Sequence, residues 1–369
     1  MKDSKAKKIV FIRANTYNSE PRLIKISEGI KNFEQHFILW DRDDRGTSEG
    51  KNAVYFRRKS DFGNVKTLVS NIPAWSRFCW RELKKINPDI IHACDIEGVA
   101  AAYLYAKIFR KKLVYDIWDE TSGKIVDQKS PLKKVANSLD RFYINRSDLF
   151  LLPDECRTEQ IGIKKHLDRM VLVPNSTTIT PGKISEINLS KKAQINIAYV
   201  GVMSRKIRGL EFIIEAAKKF NRFQFTVAGY GPDDKYFEQA LRGIKNLTFL
   251  GRVDHAKAIE INNQADIIIT LLDPNYENYK YATSTKAFEA FELLKPIITS
   301  EGTATARLIN ETGWGIAIKY NQKALENALD NIQNGIITFK LETNNAMKYS
   351  WDKVAAKLNA KYSELVGLG

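Results

Sequence analysis

The stretch KYATSTKAFEAFELLKPIITS, Lys280 to Ser300, sets hydroxyls, a lysine and two glutamates ahead of an apolar run. Ser284 or Thr285 can cap a helix there, and Lys286, Phe288, Glu289, Ala290, Leu293 and Leu294 continue it. Free N–H groups and the positive dipole end at such a start attract phosphate, with Lys286 beside them. Glu289 lies about one turn into the helix, where a carboxylate can accept both hydroxyls of a ribose. Glu292 tilts away from the helix mouth and reads as a structural or solvated neighbour.

Other loops carry related chemistry. YVGVMSRKIRGLEFIIEA opens with Gly201, closes at Gly209, and carries Arg205, Lys206 and Arg208. Three cations before a helix suit a diphosphate, and they also suit a solvated basic turn. FTVAGYGPDD repeats the arrangement with Gly229 and Gly231, which permit close backbone approach to a ligand or a simple tight turn. LTFLGRV offers Gly251 and Arg252, where a nucleotide base can rest on backbone groups. WDRDDRG contains Asp-x-Asp at Asp41 and Asp43, and a solvated loop is its favoured reading over a metal motif. IPAWSRFCWRELKK interleaves Trp75, Phe78 and Trp80 with Arg77, Arg81, Lys84 and Lys85. That mixture fits a membrane interface or a lipid-linked acceptor, and a core-facing helix with a wet basic side is the favoured reading.

The elements that must hold these loops alternate short β-branched runs with helical patterns along the whole chain. Strand candidates include KIVFIRA, HFILWD, DIIHACD and KLVYDIWD, then INIAYVGV, QFTVAGYG, DIIITLL and KPIITS. This βαβ rhythm implies α/β architecture with parallel sheets covered by helices on both faces. At ~100–200 residues per domain, 369 residues suggest two domains. The Ser-, Thr-, Pro- and Lys-rich stretch Pro174 to Gln194 reads as the linker between two Rossmann-like domains. SWDKVAAKLNAKYSELVGLG closes the chain as an amphipathic helix, with Ser350 as N-cap and Trp351, Val354, Leu358 and Leu365 on one face. Ligands of open parallel sheets sit beyond the carboxyl ends of the strands, which is where the loops above fall.

The net charge is +15. Residues through Thr180 hold 33 of the basic side chains against 23 acids, so the first half carries most of the excess. Such an excess favours an anionic partner, or serves solubility alone. No nucleic-acid motif accompanies it. Three cysteines, Cys79, Cys94 and Cys156, and four scattered histidines point to a reducing compartment without disulfides or zinc. No secretory signal or membrane-spanning run is present, so a cytoplasmic or surface-attached protein is expected.

Taken in order and spacing, YVGVMSRKIRGLEFIIEAA, FTVAGYGP, LTFLGRV, STKAFEAFELLKPIITS and GWGIAI resemble retaining GT-B glycosyltransferases, specifically glycosyltransferase family 4. The resemblance is strongest from Ile195 to Ala317. EPRLIKISEGI, PDIIHACDIEGVAAAYLYAK and KLVYDIWDE match more loosely. It implies a GT-B fold: two Rossmann-like domains facing across a cleft, with a C-terminal helix crossing back to the first. The first domain would span 1–180 with helix 351–369 and hold the acceptor. The second would span 190–350 and hold a nucleotide-sugar donor, UDP- or GDP-linked, as substrate without any further cofactor or metal. Arg208 would grip the donor phosphates, with Arg205 or Lys206 as alternatives. Lys286 would join it, and Glu289 would take the ribose. Gly201, Gly229, Gly231, Arg252, Ser284 and Thr285 complete the expected donor set. The departures are specific. Tyr281 stands where the family places the first glutamate of E-x7-E, Leu294 where it usually has glycine, and Trp118-Asp119 where it has a His-Asp pair. RANTYNSEPR replaces the glycine-rich loop after the first strand, leaving Arg13, Asn15, Arg22, Trp118 and Asp119 as acceptor-side candidates. The resemblance implies metal-independent hexosyl transfer to a glycan or lipid-linked acceptor in cell-surface polysaccharide or glycolipid synthesis. A nucleotide-sugar epimerase, or another non-transferase on the same fold, is the competing expectation.

Overall fold

The computed structural model describes residues 6–17, 20–43, 52–60, 65–119 and 132–368. The chain divides into two compact units, Met1–Pro174 with Asp352–Gly369, and Asn175–Trp351.

In the first unit, β1 (Lys7–Arg13), α1 (Pro21–Gly29), β2 (Phe33–Asp41), β3 (Ala53–Arg57), α2 (Val65–Ile86), β4 (Ile90–Cys94) and α3 (Asp95–Ile108) are followed by β5 (Lys112–Asp116), α4 (Leu132–Ile144), β6 (Leu149–Leu152), α5 (Arg157–Ile161) and β7 (Met170–Leu172). The seven strands pair in parallel in the order β3-β2-β1-β4-β5-β6-β7. Ile9, Val10, Phe11 and Ile12 are all fully buried. Such continuous apolar runs arise because helices cover both faces of a parallel sheet. In α2 the aromatic residues face inward: Trp75 is fully buried and packs on Trp40 and Phe56, while Trp80 meets Tyr105 edge-on. The Trp75–Lys85 stretch is thus a core-facing helix whose basic residues turn outward.

The second unit begins with β8 (Ile184–Ile187), β9 (Ile195–Val202), α6 (Leu210–Lys219), β10 (Phe223–Tyr230), α7 (Asp234–Ala240), β11 (Leu247–Phe249) and α8 (His255–Gln264). It continues through β12 (Ile267–Thr270), α9 (Glu277–Tyr281), α10 (Thr285–Leu293), β13 (Ile297–Ser300), α11 (Ala304–Thr312), β14 (Gly315–Ile318), α12 (Gln322–Gln333), β15 (Phe339–Glu342) and α13 (Thr343–Ala346). Six strands form a parallel sheet ordered β11-β10-β9-β12-β13-β14. The stretch read as a linker is not all connection: β8 pairs antiparallel with β15, Ile184 opposite Glu342. Its strand forms because distant backbone satisfies it, not because of a local pattern.

The last helix, α14 (Trp351–Leu365), buries Val354, Leu358 and Tyr362, four residues apart on one stripe. Ser350 has the extended backbone of a cap, but its buried Oγ has no hydrogen-bond partner among the described residues. The Trp351 N–H bonds the Thr177 carbonyl at 2.9 Å.

Candidate functional site

In the second unit, chemistry gathers where β9, β12 and the α9–α10 turn end. Ser284 caps α10, its hydroxyl accepting the Lys286 N–H at 3.3 Å, and its own N–H bonds Thr305 Oγ1 at 2.9 Å. Lys286 Nζ lies 2.8 Å from both Glu289 oxygens. Asn262, fully buried on α8, donates to Glu289 Oε2 at 2.7 Å, and its own Oδ1 has no partner among the described residues. The pair is 16% and 14% exposed, so charge here is partly desolvated and strongly felt. Glu292 instead points to the surface and accepts a hydrogen bond from Thr177. Leu294 ends α10 in the left-handed region at φ 53 and ψ 44, which is the physical reason glycine would suit that place.

The structure separates the three loop cations after β9. Arg205 is exposed, paired with Glu211 at 2.9 Å and laid over the Tyr236 ring at 3.9 Å. Lys206 is exposed and forms no ion pair among the described residues. Arg208 turns inward, its guanidinium 5.0 Å from the Tyr279 ring centroid and its buried Nε without a hydrogen-bond partner among the described residues. Burial raises the Tyr279 phenol, and Arg208 opposes that shift. Arg208 and the Lys286–Glu289 pair are therefore half-buried charges in this unit's site region.

The glycines answer to the chain's own packing. Gly229, at φ +146, pairs with Gly201 across β10 and β9, and a Cβ on it would sit 1.8 Å from the Gly201 carbonyl oxygen. A Cβ on Gly231 would meet the Met203 carbonyl at 2.4 Å. Close approach of the neighbouring backbone explains both positions. A pocket of about 540 Å³ opens beside these strand ends, lined among others by Gly229, Tyr230, Phe249, Gly251 and Arg252. Arg252 covers the Tyr230 ring at 4.4 Å.

The first unit gathers the acceptor-side candidates into one network at its strand ends. Arg13 bonds Glu20 at 3.0 Å, pairs with Asp95, and stacks on Trp118 at 3.9 Å. Burial opposes the Arg13 charge, but Asp95 and Glu20 outweigh it, so its proton is held more tightly than usual. Asn15 donates to Glu20 at 2.6 Å. Arg22 bonds the Val173 carbonyl and reaches Asp116 Oδ1 at 2.8 Å. The Trp118 indole donates to Asp116 Oδ2 at 2.7 Å, and its backbone N–H donates to Asp95 at 2.9 Å. Asp119 is exposed and accepts from the buried Arg157 at 3.4 Å.

Asp116 is fully buried. Burial would raise its carboxyl, but Arg22 and His92 hold it well below the ordinary carboxylate range. As an acceptor it fixes the tautomer of His92: Nε2–H donates to Asp116 at 3.2 Å, and Nδ1 accepts the Tyr362 hydroxyl at 2.6 Å. His92, Cys94 and Asp116 are also the metal-type ligands that cluster most tightly among the described residues. There the Arg22 guanidinium already supplies the positive charge. In the Asp-x-Asp motif, Asp41 is fully buried on β2 and Asp43 exposed, so the two carboxylates point into different surroundings.

Sequence reading missed Glu20, Asp95, His92, Asp116, Tyr362 and Asn262. They come from separate elements, and only the fold brings them beside the candidates. Asp95 carries one visible sign, a left-handed φ of 55 on a buried carboxylate at a strand end.

Residues 194–334 match the family model of Glycosyl transferases group 1. No curated protein matches the chain in sequence. Among solved structures, sucrose-phosphate synthase from Thermosynechococcus elongatus is similar with a TM-score of 0.71 at 13% identity, covering 98% of this chain and 100% of that one. The apo form of the lipopolysaccharide outer core galactosyltransferase WaaB follows at 0.70 and 15%, covering 97% and 99%. A putative UDP-N-acetylglucosamine 2-epimerase from Listeria monocytogenes reaches 0.65 at 12%, covering 99% and 98%. The fold is that of GT-B proteins, with two Rossmann-like units.

Proposed function

We propose that this chain, whose second unit carries a Glycosyl transferases group 1 domain on a GT-B fold, moves a hexose from a nucleotide-sugar donor to a glycan or lipid-linked acceptor with retention of configuration. The observation that carries the reading is the half-buried Lys286–Glu289 pair at the start of α10, inside the matched segment.

The second unit takes the donor. The diphosphate meets Arg208, Lys286, the Ser284 hydroxyl and the Thr285 N–H at the start of α10. Glu289 takes the ribose hydroxyls, and the base rests near Gly251 and Arg252 in the adjoining pocket. Arg205, engaged with Glu211, and the exposed Lys206 serve at the rim. The donor C1–O bond breaks, and negative charge grows on the leaving diphosphate, where fixed cations stabilise it without reorganisation. The acceptor hydroxyl bonds to C1 from the leaving-group side, and its proton passes to a leaving phosphate oxygen. The first unit, through Arg13, Asn15, Arg22, Trp118 and Asp119, holds the acceptor. The reaction serves surface polysaccharide or glycolipid synthesis at the cytoplasmic face of a membrane. Among the described residues, no helix is long and apolar enough to cross one.

The second reading, a nucleotide-sugar epimerase, is favoured by the epimerase among the similar structures. The test is a nucleotide-sugar screen by thermal shift, followed by product analysis of each stabilising donor with and without glycan acceptors. A transferred sugar with retained linkage supports the proposal. An isomerised donor formed without any acceptor supports the epimerase. Turnover that survives a chelator supports metal independence.

A further inference from the structure

The helices α2, α3 and α4 of the first unit lie side by side, with α3 in contact with both neighbours. Their inward faces are ordinary core. Their outward faces are not. On α4, Val135, Leu139 and Phe142 are 57%, 44% and 38% exposed. Their spacing puts them on one outward stripe. On α3, Leu104 and Ile108 are 55% and 56% exposed one turn apart, and Phe109 follows. Tyr103 joins the stripes, its ring 5.6 Å from that of Phe142. Contiguous exposed apolar side chains of this size mark an interaction surface.

Among the described residues, the exposed charges on these three helices have one sign. Lys107, Arg110, Lys134 and Arg146 are exposed around the stripes, and Arg146 lies 3.9 Å over the Phe142 ring. The acids of the three helices, Glu82, Asp95, Glu97 and Asp140, are all buried. An apolar crest whose own helices expose only cations among the described residues fits the headgroup and acyl boundary of an anionic bilayer. The apolar groups stand on the crests of two neighbouring helices, which suits a deformable planar surface better than an inserted peptide.

We propose that the outer face of α3 and α4 docks this protein on an anionic lipid surface. The inference deepens the proposed lipid-linked acceptor and rests on that reading, but its test is independent of transfer. The apolar stripes enter the interface, and the flanking cations pair with lipid headgroups. The basic side of α2, with Arg77 and Lys84, is a secondary border, because its aromatic residues face the core.

The experiment is flotation of the full chain with vesicles of phosphatidylcholine alone or with about one-third phosphatidylglycerol. Wild type is expected to float with the anionic vesicles and stay behind with the neutral ones. The triple variant Val135→Ser, Leu139→Ser, Phe142→Ser, and separately Lys107→Gln with Arg146→Gln, should each weaken partition by about tenfold or more. Arg77→Gln with Lys84→Gln should weaken it less. Nucleotide binding and thermal melting of each variant show whether the fold and the donor unit are intact. Wild type that ignores anionic vesicles overturns the proposal, as does a folded triple variant that floats normally. Concentration-dependent dimerisation abolished by the same triple variant, without vesicle binding, assigns the face to a second copy and also overturns it. Vesicle binding with no response to any nucleotide sugar sinks the donor reading and leaves the docking surface standing.

Discussion

Glu289→Gln tests the donor assignment at its most exacting point. In the structure both carboxylate oxygens lie 2.8 Å from Lys286 Nζ, and Oε2 also accepts from Asn262 at 2.7 Å. A glutamine keeps one acceptor. If its oxygen stays with Asn262, its amide nitrogen faces Lys286 and no charged acceptor remains for the second ribose hydroxyl. A hydrogen bond to a charged group contributes about 1.5–3 kcal/mol. One lost and one weakened contact should therefore cost about 2–3 kcal/mol, or roughly 30- to 150-fold in Kd. Calorimetry with UDP and GDP measures this directly. The corresponding 2′,3′-dideoxy nucleotide closes a double-mutant cycle: it should bind wild type and variant alike, because neither complex retains the ribose contact. A variant that binds the full nucleotide as tightly as wild type, while the dideoxy nucleotide binds weakly to both, places the ribose elsewhere and refutes the reasoning.

Lys286→Ala and Arg208→Ala should each lower turnover by about 100-fold or more, the cost of one transition-state charge contact; wild-type rates would remove both from the site. Gly229→Ala should destabilise the second unit by about 3 kcal/mol or more in denaturant titration, because its Cβ would sit 1.8 Å from the Gly201 oxygen. Tyr362→Phe should cost about 1–2 kcal/mol by leaving a buried His92 nitrogen unpaired, and an unchanged midpoint would show that the link carries no stability. Burial holds the Tyr320 phenol up at about 12 from an ordinary 10.0. The unfolded chain therefore loses this proton first, and stability should fall as pH rises from about 10 to 12. Tyr320→Phe should flatten that part of the pH curve.

Much of the fold was legible because alternating apolar runs and helical periods are local signals. The pairing of β8 with β15 was not, since nothing within Ile184–Ile187 announces a partner at Phe339–Glu342. The helix start at Ser284 was readable from capping and charge order. Asn262 was not, because a buried amide on α8 becomes a partner of Glu289 only once α8 and α10 pack. The same limit hid Asp95 and Asp116, whose roles depend on arginines arriving from other elements. The tryptophan-rich stretch of α2 misdirects the eye: its tryptophans pack inward, while α3 and α4 carry unsheltered apolar stripes. A helix apolar on two sides reads as buried, and only the solvent exposure of Val135, Leu139 and Phe142 tells otherwise.

The hydrogen bond between His92 and Tyr362 closes the first unit with a residue near the end of the chain. The second unit, Asn175–Trp351, is one unbroken span. During synthesis, then, the middle of the protein can complete its fold while the beginning still waits for its last helix. Until α14 emerges, His92 and the apolar strip that receives Val354 and Leu358 lack their cover. Removal of Asp352–Leu365 should leave the second unit complete and be felt in the first.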